Sequence, residues 1–200
     1  MPPPGSKTGA ERRALLPGPL YAVALLAAAG CTDVSPWTEN SYVRVGAPVL
    51  YEPLHTINED TAGPFYGGNF AYGSIYEQRA NHATAFEFEY ALRNLTDFAP
   101  NDGYAHGFYL GVRRFWCMDG RIRPHVGLGG MYEDFDVRNQ PSGDDPYGVG
   151  VYADVGLDYM ITPIYSIGLR VRDQVRYEYA DFNHGIRNGV ELALTFTWNF

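Results

Sequence analysis

From Val190 to the last residue, apolar and polar positions alternate without a break. Val190, Leu192, Leu194, Phe196, Trp198 and Phe200 fall on one side, and Glu191, Ala193, Thr195, Thr197 and Asn199 on the other. A period of two belongs to a β-strand whose faces meet different surroundings. The same period runs upstream. Tyr165, Ile167, Leu169, Val171, Val175 and Tyr177 oppose Ser166, Gly168, Arg170, Arg172, Gln174, Arg176 and Glu178, with Asp173 alone breaking the apolar side. Val149, Val151, Ala153, Val155, Leu157 and Tyr159 oppose Gly148, Gly150, Tyr152, Asp154, Gly156 and Asp158, and Phe86, Phe88, Tyr90 and Leu92 oppose Glu87, Glu89 and Arg93. Strands are predicted over 41–52, 65–77, 83–95, 103–117, 121–137, 147–161, 164–180 and 188–200. The connectors alternate in length: 78–82, 118–120 and 162–163 are short turns, whereas 53–64, 96–102, 138–146 and 181–187 are longer and polar. Outside the N-terminal segment no apolar run approaches the ~20 residues of a transmembrane helix. The fold class expected is all-β, with eight strands in antiparallel up-and-down order.

Alternation alone also fits a soluble sheet with one face on a core. The second face discriminates, because a water-facing surface would carry flexible charges, lysine above all, and few Gly or Tyr. Here Gly, Ser, Ala and Tyr are interspersed with Arg and Glu, and Lys7 is the chain's one lysine. That composition suits a narrow, crowded, polar lumen. The aromatics agree: Tyr76, Trp116, Tyr165, Trp198 and Phe200 lie on the apolar face at the short-turn ends, and Tyr51, Tyr104, Tyr147 and Tyr177 at the other ends. Two aromatic girdles around an apolar belt mark a transmembrane β-barrel. In hydrocarbon the sheet must close, so the first strand pairs with the last, and eight strands enclose an interior that side chains fill. The inward set reads Arg44, Arg93, Arg113, Arg123, Arg170, Arg172 and Arg176 against Glu77, Glu87, Glu89, Glu133, Asp154, Asp158, Glu178 and Glu191. Charges removed from water must pair, so a lumen ion-pair network is expected. Within the last hairpin, pairing about the 181–187 loop places Glu191 nearest Arg176.

The N-terminus sets the compartment. Lys7, Arg12 and Arg13 precede an apolar run from Ala14 to Ala29, interrupted by Pro17 and Pro19 and closing on Ala27, Ala28, Ala29 and Gly30 before Cys31. This is the layout of a secretory signal. The domains are therefore a signal segment, 1–30, a periplasmic linker, 31–40, and the barrel, 41–200. Ala28, Ala29, Gly30 and Cys31 also resemble a bacterial lipobox, although Ala28 stands where that pattern usually has Leu. Cys31 is thus lipidated, free, or paired with Cys117, the only other cysteine, in an oxidising periplasm.

Charge and chemistry narrow the function. The formal net charge of −8 excludes nucleic acid as a partner, and acidic residues gather in the long connectors (Glu59, Asp60, Asp97, Asp102, Asp144, Asp145, Asp181), as on a solvated face. His55 and His184 fall in long connectors, where a histidine could serve acyl transfer, but neither has a serine beside it. His125 reads as a lumen histidine. Two distant cysteines give no zinc spacing, and Gly127, Gly129 and Gly130 sit inside a strand rather than opening a helix, so they cradle no phosphate. No catalytic, cofactor-binding or metal-binding residues are assigned.

Leu192 to Phe200, with its alternation and terminal Phe, is similar to the C-terminal signature of outer-membrane barrels. Leu110 to Arg113 and Arg123 to Gly129 resemble neighbouring strands of small OmpA/OmpX-type barrels, with Gly111, Gly127 and Gly129 as small inward positions. The resemblance implies recognition by the barrel-assembly machinery, outer-membrane lipid as a partner and residence in a bacterial outer membrane. It transfers no site residue. The expected role is structural or surface-interacting, with a lipid-modifying enzyme around His55 or His184, or a narrow conduit for small molecules, as alternatives.

Overall fold

The computed structural model describes residues 40–55, 60–79, 81–94, 103–137, 147–179 and 185–200. They form strands β1 (Ser41–His55), β2 (Asp60–Arg79), β3 (His82–Asn94), β4 (Gly103–Trp116), β5 (Ile122–Val137), β6 (Tyr147–Met160), β7 (Tyr165–Tyr179) and β8 (Gly185–Asn199). Each strand pairs with its sequence neighbours, and β1 closes on β8 from Tyr42↔Asn199 to Tyr51↔Val190, so the sheet is a closed barrel of antiparallel strands. No helix occurs among the described residues.

The hairpin β1–β2 corrects the 53–64 loop reading. Its strands run on through Pro53↔Ala62 to His55↔Asp60. Pro53, Gly63 and Pro64 concealed this, being poor strand residues. They are tolerated because this tip stands clear of its flanks: pairing with β8 ends at Tyr51, and pairing with β3 begins at Gly67. A proline on this two-stranded tip has one neighbouring strand rather than two, so its missing N–H disrupts less of the ladder. Likewise β8 starts at Gly185, three residues earlier than the alternation indicated. The remaining bounds agree with the sequence reading within a residue or two.

Burial is inverted relative to a water-soluble fold. Along β7 and β8 exposed and buried residues alternate nearly throughout, and the exposed ones are apolar except for Asp173 and Asn188. Leu110, Leu128, Val151 and Leu194 are each more than 60% exposed, while Arg172 and Glu191 are wholly buried. All the outward aromatics named above lie on the exposed wall, except that Trp116 is half-buried.

Two rims result. One carries the β2–β3, β4–β5 and β6–β7 turns and both ends of the barrel; the other carries the β1–β2, β3–β4, β5–β6 and β7–β8 connections. Tyr42, Ala83, Ala85, Phe115 and Met118 pack across the lumen at the turn rim, and Leu50, Phe65, Ala105 and Phe135 towards the loop rim. Between them lie the lumen charges, with a third apolar cluster of Ala91, Tyr109, Met131 and Tyr152 packed among them. Crowding there explains the paired glycines of β4 and β5: a Cβ on Gly129 would sit 2.2 Å from the Leu110 carbonyl oxygen, and one on Gly111 would sit 2.4 Å from both the Leu128 carbonyl oxygen and the Tyr152 hydroxyl.

Candidate functional site: the lumen charge network

The inward parity of each strand delivers its charged residues into the barrel. Arg44, Glu87, Glu89, Arg93, Arg113, Arg123, Asp154, Asp158, Arg170, Arg172, Arg176 and Glu191 are all buried. Near the turn rim Glu87 is the first centre. It accepts hydrogen bonds from Arg44 Nη1 at 3.0 Å, from Arg113 Nε and Nη2 at 2.9 and 2.7 Å, and from the Tyr42 hydroxyl at 2.5 Å. The other side of the Arg113 fork donates to Asp154, Nη1 at 2.7 Å and Nη2 at 2.9 Å. One planar guanidinium thus bridges two carboxylates, the geometry for which arginine is suited and lysine is not.

The second centre is Glu89, which reaches across the barrel. From β3 it meets Arg170 of β7 at 2.5 and 3.0 Å, Arg172 of β7 at 2.6 Å, and Asn69 Nδ2 of β2 at 2.8 Å. In a closed sheet of eight, β3 and β7 are diametrically opposed, so these contacts span the whole lumen. Arg172 also lies 3.7 Å from Asp154 and 3.7 Å from Glu191, joining the two centres. Its guanidinium carbon sits 4.2 Å from the Tyr109 ring centroid and 4.7 Å from that of Tyr152, so aromatic faces complete its surroundings.

Glu191 receives Arg170 Nη2 at 2.9 Å and Arg93 Nη2 at 2.7 Å. Arg93 continues to Glu133, which also holds Arg176 Nη1 at 2.9 Å. Towards the turn rim Asp158 lies 3.5 Å from His125 Nδ1 and 3.9 Å from Arg44 Nη2, with Arg123 facing it in the β5–β6 register.

The expected Glu191–Arg176 proximity is not found. Glu191 stands opposite Arg172 and Arg187 opposite Arg176, a register four residues from the one expected, because β8 begins at Gly185, inside the 181–187 segment expected to be loop. Arg176 serves Glu133 instead. The sequence reading also passed over Tyr42, Asn69 and Tyr109 as network members. Their signal was present: Tyr109 shares its parity with Gly111 and Arg113, so its ring had to face inward.

Among the described residues no group of three His, Cys, Asp or Glu side chains could hold a metal. The side chain of His55 and the whole of His184 lie outside the described residues, as does Cys31. Cys117, at the turn rim, is disulfide-bonded.

No known family model matches the chain, and no curated protein matches it in sequence. Solved structures do match. The chain is 14% identical to Neisserial surface protein A, with 80% of this chain and 97% of that one covered and a TM-score of 0.55. It is 12% identical to the outer membrane protein OprG of Pseudomonas aeruginosa, covering 84% and 99% at a TM-score of 0.55. Ail, the attachment invasion locus protein of Yersinia pestis, in complex with the heparin analogue sucrose octasulfate, matches at 12% identity, covering 81% and 97% at a TM-score of 0.51. At such identities the likeness is one of fold. In fold, this chain is a small eight-stranded β-barrel of the outer-membrane type.

Proposed function

We propose that the chain is an integral protein of a bacterial outer membrane, a barrel closed to passage that holds its β1–β2, β3–β4, β5–β6 and β7–β8 connections at the cell surface for attachment or envelope integrity. The lumen carries this reading. An arginine–carboxylate network linking opposite walls, with apolar clusters above and below it, is a rigid core and a poor route for solute. The exposed apolar wall and its two aromatic girdles support lipid as its surroundings. Residues Leu192 to Phe200 are then the segment offered to the assembly machinery.

The chemistry of the connections indicates the kind of surface they suit. They carry Glu59, Asp97, Asp102, Asp144, Asp145 and Asp181 against the single basic residue Arg138. Ail takes a sulfated ligand, but this chain's connections would repel such a polyanion and favour a cationic or neutral partner. Planar-bilayer recording on the purified, folded protein tests the closed lumen: no discrete conductance steps are expected, and steady steps would favour the conduit reading. Adhesion of expressing cells to cationic and sulfated surfaces tests the surface role. Binding to the cationic surface, lost when 138–146 is replaced by a short Gly-Asn turn, is the expected result. Equal binding without that segment, or preference for the sulfated surface, would contradict it.

A further inference from the structure

Arg113 and Arg114 are neighbours on β4 and take opposite faces. Arg113 turns inward to Glu87 and Asp154, whereas Arg114 shares the outward face with Val112 and Trp116 and is half-buried there. Its cross-strand neighbours are Thr84 of β3 and Val126 of β5, neither of which can balance a charge. The nearest outward carboxylate in the register is Glu77 of β2, two strands away, which the bulge after Ile75 turns to the outer side. That carboxylate is already held by Arg79 Nε at 3.1 Å and by the Thr84 hydroxyl at 3.4 Å. Among the described residues Arg114 has no ion-pair partner, and neither has Arg121, which is exposed in the turn between β4 and β5. We propose that Arg114 and Arg121, flanking the Trp116 indole, form a site at the turn rim for the phosphate of an anionic glycerophospholipid.

Depth selects the ligand. A cation on a hydrocarbon-facing wall is costly at mid-bilayer and nearly free at an interface. Arg114 stands two residues, about 7 Å of strand, inside Trp116 of the aromatic girdle, so it lies at the border between hydrocarbon and headgroups. Its stem can run back along the wall and present the guanidinium at headgroup level. In a phospholipid leaflet the anion at that level is the phosphodiester, whose two free oxygens suit the parallel N–H bonds of a guanidinium. The indole ring favours the same level, and its N–H is a donor only. A lipid with net negative charge is preferred, because in a zwitterionic one an ammonium already accompanies the phosphate.

The opposite rim differs in charge. Arg187 there is paired with Glu178 at 3.1 Å, and the outward positions of β5 are taken by Asp134 and Asp136, opposite His106 and Tyr104 of β4. The preference for an anionic lipid therefore belongs to the leaflet at the turn rim. The inference rests on the membrane reading above, which puts this wall in lipid.

The test uses the purified, folded chain in bilayers of phosphatidylglycerol and phosphatidylcholine in equal amounts. The protein is released into mild detergent and weighed by native mass spectrometry with the lipid it retains. Phosphatidylglycerol should be retained over phosphatidylcholine by roughly tenfold, the effect of one charge-assisted hydrogen bond. Arg114→Gln should abolish most of this preference and Arg121→Gln part of it, while Arg187→Gln at the opposite rim should leave it intact. Heat-modifiable gel mobility verifies that each variant folds, and Arg114→Lys, a cation without the planar fork, should keep only part of the preference. An undiminished preference in Arg114→Gln, or an equal fall in Arg187→Gln, would overturn the proposal. Full displacement of the lipid by inorganic phosphate would overturn lipid as the occupant. A chain that inserts but shows no headgroup preference would overturn the site and leave the membrane reading intact, and a chain that inserts in no bilayer would overturn both.

Discussion

Arg172 concentrates the energetics of the lumen in one side chain. It touches Glu89, lies 3.7 Å from both Asp154 and Glu191, and is enclosed by two tyrosine rings. Removing one partner from a buried ionic group leaves the others uncompensated, at about 3 to 5 kcal/mol. Arg172→Ala and Glu89→Ala should each destabilise the barrel by that order, and the double mutant by clearly less than the sum. Urea unfolding in lipid, combined as a double-mutant cycle, measures the coupling; strict additivity would show that the 2.6 Å contact carries no energy. Arg172→Lys should fail to restore stability, since a single ammonium cannot serve several carboxylates and two ring faces together. Glu191 and Arg176, which are linked only through Arg93 and Glu133, should couple less strongly than Arg172 and Glu89.

At the scale of the strand, the outward and inward positions of β8 make opposite predictions. Leu194→Arg puts a charge on the exposed wall and should cost about 2 to 4 kcal/mol in a bilayer if it lies near mid-depth. Thr195→Arg enters a lumen already occupied by Asp158 and Arg170 and should act through crowding, independent of depth. Asp173 is a natural instance of the first case: it is exposed among Leu169, Val171 and Val175, opposite Ala153 and Val190. Asp173→Val should therefore raise stability in lipid by up to about 2 kcal/mol, and a loss of stability on equilibrium unfolding would mean that the carboxylate has a partner in the membrane. Steric crowding gives a third test, because Gly129→Val would press a branched side chain into the β4 backbone and should reduce the folded fraction seen as heat-modifiable gel mobility.

The same scale shows what the sequence could and could not disclose. β7 and β8 were legible because each residue is forced to choose between two dissimilar surroundings. The tip of β1–β2 was not, since Pro53 and Gly63 imitate a loop where only one neighbouring strand exists. The β7–β8 register was misread by four residues because alternation fixes parity, and a shift by an even number preserves it. Parity could place Arg172 and Glu89 inside, but only closure and stagger of the whole sheet decide that β3 and β7 face each other.

For the whole molecule, eight strands return the chain to the side on which it entered, so both ends of the barrel lie with the short turns. In an outer membrane that rim faces the periplasm. A protease site inserted in 138–146 should be cut in intact cells, and one inserted at 80–81 only after permeabilisation; the reverse pattern would invert the topology. In the proposed setting the barrel is inside out, its apolar wall in lipid and its charges within. Methyl NMR of the bilayer-reconstituted protein, with a spin label on the lipid acyl chains, tests this most directly. The account predicts strong broadening of Leu194, Leu169 and Val155 methyls and sharp signals from Ala193, Ala91 and Thr195. Broadened Ala193 and Ala91, beside sharp Leu194 and Leu169, would contradict it.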